Sequence, residues 1–433
     1  MAAPPEDNSS RLQELKEEID AKKRFISTLP PFCRSHGGSE SDLFRANHIK
    51  ILAEKQEEYD VIVEEQRVAS VQREHLEVHP LPGEECPICL EMQPFTIAFR
   101  FARFSCCGNG VCQSCAEETC AGGVLKIKTC PLCRSEDFFI AKGDSKESDT
   151  EKFAKKGRAW AQTSLGLSYW LGSRGFRKDK KKSMKWLELA AEQGFPIALA
   201  HLAGIYGEGK LVNEDPEMAR SLYKKAADLG NALAQYKVGF QSAKGYGGEV
   251  DMQASVYYFT LAYGNQYEDD NRADVAYFLG CWYRDGKGGL DKSMMLAKHY
   301  LTVAAKGGYE SAYPALSLVL ADLRGCQYGG VKDLSHGGVL LTFPGHNPLP
   351  KSVYWARKGM KSKDPGIAHE SVKAAKFIDS NLQRSKICHN CGKCATSAAF
   401  KCCVRCKSAW YCSKDCQAKS WKTGHKLDCV KQE

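Results

Sequence analysis

The fold is decided by a five-residue segment that recurs at intervals of 37, 36 and 41 residues: Leu165-Gly-Leu-Ser-Tyr169, Leu202-Ala-Gly-Ile-Tyr206, Val238-Gly-Phe-Gln-Ser242 and Leu279-Gly-Cys-Trp-Tyr283. A second signature recurs in phase with it: Trp186 with Ala190, Leu222 with Ala226, Tyr258 with Ala262 and Tyr300 with Ala304. Each period predicts two helices that pack through small residues, and glycines such as Gly194, Gly230 and Gly308 would end the second helix. Because one pair cannot bury its apolar face alone, we predict that four or five pairs stack into a solenoid.

These segments resemble the Sel-one-like repeat, a relative of the tetratricopeptide repeat, over residues 157–362. A fifth unit is predicted to begin near Ala312 and to resume at Trp355 after a glycine-rich insertion at residues 325–349. A last helix at about 367–382 would cap the open end. We expect the aromatic residues of the signatures to be core, and the resemblance implies a concave surface that binds a protein substrate.

Residues 1–82 are predicted to form a helical hairpin. Ser10 and Gln13 have the spacing of a capping box, and apolar residues at heptad-like spacing follow until Pro30. A second helix would extend from about 42 to 79. Packing within the chain and dimerisation through the hairpin are both compatible with this pattern.

Cysteine is concentrated in two clusters. Of 21 cysteines in the 433-residue chain, nine lie between Cys86 and Cys133 and nine between Cys388 and Cys429. Thiols at CxxC spacing in a reducing compartment hold zinc more often than they form disulfides, so we predict about four Zn²⁺ ions. The chain has no apolar run long enough to span a bilayer and no secretory leader pattern, from which we expect a soluble cytoplasmic or nuclear protein without a membrane partner.

The formal charge of +9 is smaller once the metal sites are counted. Two zinc ions held by seven thiolates and two held by eight leave a net charge of about +2. The basic side chains therefore largely offset thiolates, and we expect no nucleic-acid partner.

The first cluster contains three CxxC pairs and three further cysteines, Cys106, Cys107 and Cys120. One zinc site is predicted to use Cys86, Cys89, Cys112 and Cys115, and the other Cys130 and Cys133 with Cys107 and Cys106. Order and spacing resemble the RING finger over residues 86–134. Asn109 stands where the commonest RING form has a ligating histidine, which leaves Cys106, Cys120 or a rearranged site as alternatives.

The RING resemblance implies an enzyme-recruiting surface. RING fingers hold a ubiquitin-conjugating enzyme and its thioester-linked ubiquitin in reactive orientation, without a covalent intermediate. Ile88 and Pro131 match the apolar contacts for the conjugating enzyme, and Arg134 matches the cation that bridges enzyme and ubiquitin. A purely structural zinc module is the alternative.

The second cluster resembles the MYND finger over residues 388–429. Interleaved ligation would assign one zinc ion to Cys388, Cys391, Cys412 and Cys416, and the other to Cys403, Cys406, His425 and Cys429, with Cys402 as a possible exchange for Cys403. The resemblance implies that Gln417 and Trp421 bind a proline-rich peptide. Trp421 could instead pack beneath the second zinc site, and Pro348-Leu-Pro350 could occupy the peptide groove of its own chain.

The sequence thus predicts a mainly α protein: a tetratricopeptide-like solenoid flanked by two small cross-braced zinc modules, with an N-terminal helical hairpin. The predicted divisions are 1–82 hairpin, 83–140 RING-like finger, 141–156 linker, 157–385 solenoid and 386–433 MYND-type finger. The function we expect is that of a RING-type ubiquitin ligase whose solenoid and MYND finger select the substrate. A non-enzymatic zinc-finger scaffold is the alternative.

Overall fold

The structure is a computed structural model that divides into two compact units. One unit comprises Met1–Arg67 with Ala273–Glu433, and the other comprises Val68–Arg272. The structure describes residues 8–29, 40–80, 83–94, 101–104, 107, 109–119, 130, 132–134, 140–141, 147–209, 211–265, 271–322, 349–384, 401–406, 409–411, 413–422, 426 and 429.

The N-terminal helices are α1, Ser9–Thr28, and α2, Glu40–Val78. They pack through Ile19 and Ile26 on α1 and through Ile49 and Leu52 on α2, as expected for a hairpin formed within the chain. The capping-box prediction is wrong. Asn8 precedes the first turn without a side-chain cap bond, and Ser10 lies inside the helix.

In the unit Val68–Arg272, antiparallel helix pairs follow one another in sequence. The pairs are α5 with α6, α7 with α8, and α9 with α10. A helix that we did not predict, α4, packs on α5 through Phe153 and Ala154, which are both buried. The sequence did not reveal this helix within the predicted linker 141–156, because Phe153 and Ala154 follow a run of polar residues. The helices are α4 (Glu147–Lys155), α5 (Ala159–Leu171), α6 (Lys180–Glu192), α7 (Pro196–Glu208), α8 (Pro216–Asp228), α9 (Ala232–Lys244) and α10 (Met252–Gly264).

The other unit contains further helices of its own. Helix α13 packs on α12, α14 and α15, so a fifth pair forms from segments on either side of the predicted insertion. The insertion itself, up to residue 348, lies outside the described residues. The helices are α11 (Arg272–Asp285), α12 (Met294–Lys306), α13 (Ala312–Asp322), α14 (Leu349–Met360) and α15 (Pro365–Arg384).

The glycine of the recurring segment permits close helix packing. A Cβ atom built at Gly280 would lie 2.8 Å from Cγ of Leu301, which is closer than real Cβ contacts allow. The same position in other repeats gives 2.9 Å at Gly166 and 3.0 Å at Gly239. The period in the sequence therefore marks where the two helices of a repeat come closest.

A polar side chain caps the second helix of each of the first four repeats, a regularity that we did not anticipate from the sequence. Each cap accepts a hydrogen bond from the backbone N–H three residues later, at 2.8–3.2 Å. Its own N–H donates to a carbonyl near the end of the preceding helix. This arrangement closes the turn between the two helices. The caps are Asp179, Asp215, Asp251 and Ser293, and they recur in phase with the repeats.

The cysteine clusters contain short strands and two short helices. In the first, β1 (Gly83–Glu85) pairs with β2 (Met92–Pro94), and β3 (Phe101–Phe104) pairs with both β4 (Gly110–Cys112) and β5 (Ile140–Ala141), all antiparallel. Helix α3, Gln113–Thr119, follows β4 directly. In the second, β6 (Lys401–Cys402) pairs with β7 (Trp410–Tyr411), and α16 spans Lys414–Ser420. None of the described helices has an apolar stretch long enough to span a bilayer.

Candidate metal centres

The first centre gathers the sulfur atoms of Cys86, Cys89, Cys112 and Cys115 within 4.8 Å of one another. The Sγ atoms of Cys89 and Cys112 are 3.7 Å apart. A tetrahedral site with zinc–sulfur bonds of about 2.3 Å has sulfur–sulfur edges of about 3.8 Å, whereas a disulfide bond is about 2.05 Å long. The four thiols predicted to share a zinc ion therefore have the spacing of a zinc site.

Two short elements position these thiols. Residues 86–90 form a tight turn between β1 and β2, in which the Leu90 N–H donates to the carbonyl of Cys86 at 2.8 Å and Leu90 has a φ of +61°. Cys112 ends β4, and its N–H donates to the sulfur of Cys86 at 3.4 Å. Cys115 lies in the first turn of α3. The cysteines thus lie on turns and short elements whose backbone is hydrogen-bonded.

The thiols of the first centre differ in pKa. Burial opposes ionisation of Cys86, but N–H groups from Cys89, Cys112 and Ile88 lower its pKa to about 6. Burial raises the pKa of Cys112, where hydrogen bonds with Cys115 oppose the shift and those with Cys89 and Cys86 add to it. Burial also raises the pKa of Cys115, and there the neighbouring thiols raise it further. A buried group of this kind needs a cation to ionise all its sulfurs, because a coordinating metal deprotonates a thiol outright. The donor chemistry fits Zn²⁺.

The second centre of the first module brings together Cys107, Cys130 and Cys133. Both candidates for its fourth ligand, Cys106 and Cys120, lie outside the described residues and stay predictions. Asn109 is exposed, and its backbone carbonyl accepts from the Phe104 N–H at 2.9 Å.

Two turns of this module share one local geometry. The Arg134 N–H donates to the Cys130 carbonyl at 2.8 Å, with a φ of +58° at Arg134. This repeats the arrangement of Leu90 and Cys86. Ile88 is 46% exposed and Leu90 is 69% exposed, while the Arg134 side chain is also exposed. Pro131 lies outside the described residues. We did not anticipate Leu90, although it follows its CxxC pair as Arg134 follows the last one.

The second module buries Cys403, Cys406 and Cys429 together. The Sγ atoms of Cys403 and Cys429 are 3.7 Å apart, which again matches a tetrahedral edge. Cys402 lies on β6 and is not part of this described group. The predicted fourth ligand, His425, lies outside the described residues.

The other predicted site of this module is described only at Cys416. It lies on α16 and packs against the cluster that contains Cys403, Cys406 and Cys429, but its sulfur is not part of their metal-binding group. Its predicted co-ligands Cys388, Cys391 and Cys412 lie outside the described residues and stay predictions.

Helix α16 carries Gln417, and Trp421 follows the last residue of the helix. Ser413 caps the helix by accepting from the Cys416 N–H at 3.1 Å. Gln417 is half-buried, and Trp421 is half-buried against the cluster of Cys403, Cys406 and Cys429. Trp421 therefore packs in part against these cysteines and leaves part of its surface accessible.

The segment Pro348-Leu-Pro350 is the candidate to occupy the peptide groove of its own chain, which would require an extended conformation. Leu349 and Pro350 form the start of helix α14. A helical turn cannot be the extended polyproline-type ligand that the peptide groove of a MYND finger would take.

Comparison with known proteins identifies two of the parts. The Sel1 repeat model matches residues 161–195, 196–231, 232–265 and 273–309, and the MYND finger model matches residues 388–429. The MYND finger and the cysteine clusters are consistent with bound zinc. The Sel1 repeats suggest protein–protein interaction.

Individual relatives match over short stretches. The human "Protein sel-1 homolog 2" is 30% identical over 146 residues, which is 33% of this chain and 20% of the relative. The "ERAD-associated E3 ubiquitin-protein ligase component HRD3A" of Arabidopsis thaliana is 39% identical over 56 residues, which is 13% of this chain and 8% of the relative. This chain thus spans a fifth or less of the length of either protein.

Among solved structures, a Sel1 repeat protein from Oxalobacter formigenes is 29% identical, with a TM-score of 0.35, and the match covers 43% of this chain and 71% of the other. The helix pairs, their period and the second cysteine module agree with the two family models. The chain is therefore a mainly helical protein that carries four Sel1 repeats and a C-terminal MYND finger.

Proposed function

We propose that this chain is a RING-type ubiquitin ligase in which the first cysteine module recruits a ubiquitin-conjugating enzyme. The observation that carries the proposal is the exposure of Ile88 and Arg134 beside two turns of the same geometry. Covering an exposed isoleucine with an apolar surface of a partner gains free energy. Arg134 supplies a planar cation with several donors at the corresponding turn.

The remaining modules supply binding surfaces for a substrate. This chain is similar over 56 residues to a named component of a ubiquitin-protein ligase, which supports a role in such an assembly. We propose that the repeats bind a protein substrate and that Gln417 and Trp421 bind a proline-rich peptide. Catalysis would then come from orientation of the charged conjugating enzyme, without a covalent intermediate on this chain.

The test is discharge of ubiquitin from charged conjugating enzymes onto free lysine. We expect the wild-type chain to accelerate discharge with at least one enzyme of a panel, and Ile88→Ala and Arg134→Ala each to reduce the acceleration about tenfold or more. Val404→Ala is the matched control, because Val404 is an apolar residue 84% exposed within a CxxC pair of the MYND finger. It should change the rate less than twofold.

Absence of acceleration with every enzyme of the panel, from protein with its full zinc content, would contradict the ligase proposal. It would favour a non-enzymatic scaffold, for which the half-buried Gln417 and Trp421 are the specific observation. That alternative predicts binding of a proline-rich peptide, which Gln417→Ala should weaken without a change in zinc content.

A further inference from the structure

A carboxylate of α2 is buried against the fourth repeat. Only 6% of the Glu64 side chain is exposed. The Tyr283 hydroxyl donates to its Oε2 atom at 2.6 Å, and the Tyr300 hydroxyl donates to its Oε1 atom at 2.5 Å. Arg67, one turn further along α2, donates to both oxygens at 2.8 Å. Each carboxylate oxygen therefore accepts two hydrogen bonds.

A second carboxylate lies two turns earlier on the same helix. Lys298 on α12 donates to Oε1 of Glu57 at 2.6 Å and to Oε2 at 2.8 Å. Residues seven apart lie on one face of a helix, so Glu57 and Glu64 approach α11 and α12 together. We call Tyr283, Lys298 and Tyr300 the carboxylate-binding triad.

The two tyrosines of the triad also pack on each other. Tyr283 and Tyr300 stack with their ring centroids 5.7 Å apart and an angle of 8° between the rings, and both rings are buried. Burial raises the pKa of Tyr283, and the charge of Glu64 raises it further, so the hydroxyl keeps its proton and remains a donor. The two phenols are therefore held in place by their own packing.

The sequence makes this pair special to the fourth repeat. The positions of Tyr283 and Tyr300 correspond to Tyr169 with Trp186, Tyr206 with Leu222, and Ser242 with Tyr258 in the first three repeats. None of those pairs offers two hydroxyls from tyrosine. The first three repeats form without tyrosine at both positions, so the packing of a repeat does not itself require the two phenols of the fourth.

Helix α2 has buried apolar residues on either side of this level, namely Leu52, Ala53 and Val68. Glu64 is the only buried residue in the fully described stretch 54–67. Burial of a carboxylate is costly unless every oxygen is satisfied, so a carboxylate-specific contact gives selectivity more than stability. An apolar side chain at position 64 would leave two tyrosine hydroxyls without their partner.

We infer that the carboxylate-binding triad is a receptor for a helix with two carboxylates seven residues apart. Helix α2 is the chain's own occupant, and an acidic helix of a partner protein with the same spacing displaces it. The inference concerns binding only and does not depend on ligase activity.

The test uses the full chain and a labelled peptide with the α2 sequence, residues 40–78. In the wild-type chain the tethered α2 competes at an effective concentration in the millimolar range, so the peptide should bind weakly. In the chain with Glu57→Gln and Glu64→Gln the peptide should bind at least tenfold more tightly. A peptide with the same two substitutions should lose at least tenfold in affinity for that chain.

Two controls keep the result interpretable. Glu65→Gln changes an exposed neighbouring glutamate and should leave peptide binding as in the wild type. The chain with Tyr283→Phe and Tyr300→Phe retains the ring stack and lacks both hydroxyls. Its α2 amides between residues 54 and 67 should exchange hydrogen at least tenfold faster than in the wild type.

Equal peptide affinity for the wild-type chain and for a folded Glu57→Gln, Glu64→Gln chain would overturn the inference. Equal binding of the substituted and unsubstituted peptides would do the same. If the double glutamine variant does not fold, unchanged exchange in the tyrosine variant overturns the inference. If the glutamine variant forms a dimer in which two chains exchange their α2 helices, the occupant of the triad is a second copy of this chain instead of a different protein.

Discussion

The repeats and the cysteine modules achieve order by different means. A core cluster in the repeats consists of leucine, alanine, valine and tyrosine side chains from several helices. The corresponding clusters of the modules are mostly cysteines: Cys86, Cys112, Cys115 and Cys130 in the first, and Cys403, Cys406 and Cys429 in the second. One region is stabilised by apolar burial, and the other needs a metal to unite its sulfurs.

The repeats and the cysteine modules should therefore be able to unfold separately. A repeat is stabilised by contacts with its neighbours, so its loss spreads along the helical series. A zinc module is stabilised locally by bonds to one or two ions. Perturbations directed at metal, at helix packing or at helix ends should therefore separate the two kinds of order.

Removal of metal should give the largest effect. A strong zinc chelator should unfold the cysteine modules, because each structural zinc ion contributes on the order of 10 kcal/mol. Hydrogen exchange at residues 83–134 and 401–429 should rise towards the unfolded rate, while α5–α10 keep their protection. Equal loss of protection in the repeats would show that the two regions are not independent.

Packing within a repeat is the next most sensitive feature. Gly280→Ala places a Cβ atom 2.8 Å from Leu301 and should destabilise the chain by about 1–3 kcal/mol. Gly207→Ala is the matched control, because its Cβ atom would meet only Ala219 at 3.5 Å and alanine favours a helix. Thermal unfolding of the two variants measures the difference. Equal melting temperatures would contradict the close-packing argument, and zinc content should stay the same in both.

Loss of a helix cap should have a smaller effect. Asp215 accepts from the Met218 N–H at 2.9 Å, so Asp215→Ala should cost about 1 kcal/mol. Glu217→Ala removes an exposed acidic residue from the first turn of the same helix and should cost less. Asp215→Asn should restore most of the loss in chemical denaturation, and failure to do so would argue against capping.

Protonation of a buried histidine should give the smallest effect. His75 on α2 is 3% exposed, its Nδ1 atom is 2.8 Å from the Tyr257 hydroxyl, and Nε2 has no hydrogen-bond partner among the described residues. Burial lowers its pKa below the ordinary value of 6.5, and His79 lowers it further, whereas Asp228 opposes the shift. Glu74 and Asp228 are the acidic groups that act on the neighbouring Tyr257.

Because the unfolded chain then binds more protons, stability should fall as the pH decreases from 6.5 through the lower pKa of folded His75. Measurement of the free energy of unfolding at several pH values between 7 and 5 checks the direction. His75→Gln should flatten this part of the profile, since it removes the titrating group. His48→Gln is the control. His48 also has a lowered pKa but lies at the α1–α2 contact, so its replacement should leave the contribution of His75 unchanged.

Much of the helical fold could be predicted because it is periodic. The spacing of Gly166, Gly239 and Gly280 identified the helix pairs, and CxxC spacing identified the four sulfurs of the first centre. The contact of Glu64 with Tyr283 joins residues 219 positions apart, and no local pattern reveals it. Helix α4 was missed because its anchor, Phe153, follows a run of polar residues.

The cap of each second helix has a consequence for the history of the chain. The 36 residues from Asp179 to Asp215 carry a cap, a glycine that ends a helix, and the two surfaces that meet the neighbouring units. Such a stretch can be duplicated or deleted in frame, because each copy packs on its neighbours through the same two surfaces as the original. The number of repeats can therefore change in single genetic steps, and the first two intervals between caps, both of 36 residues, are compatible with growth by tandem copying.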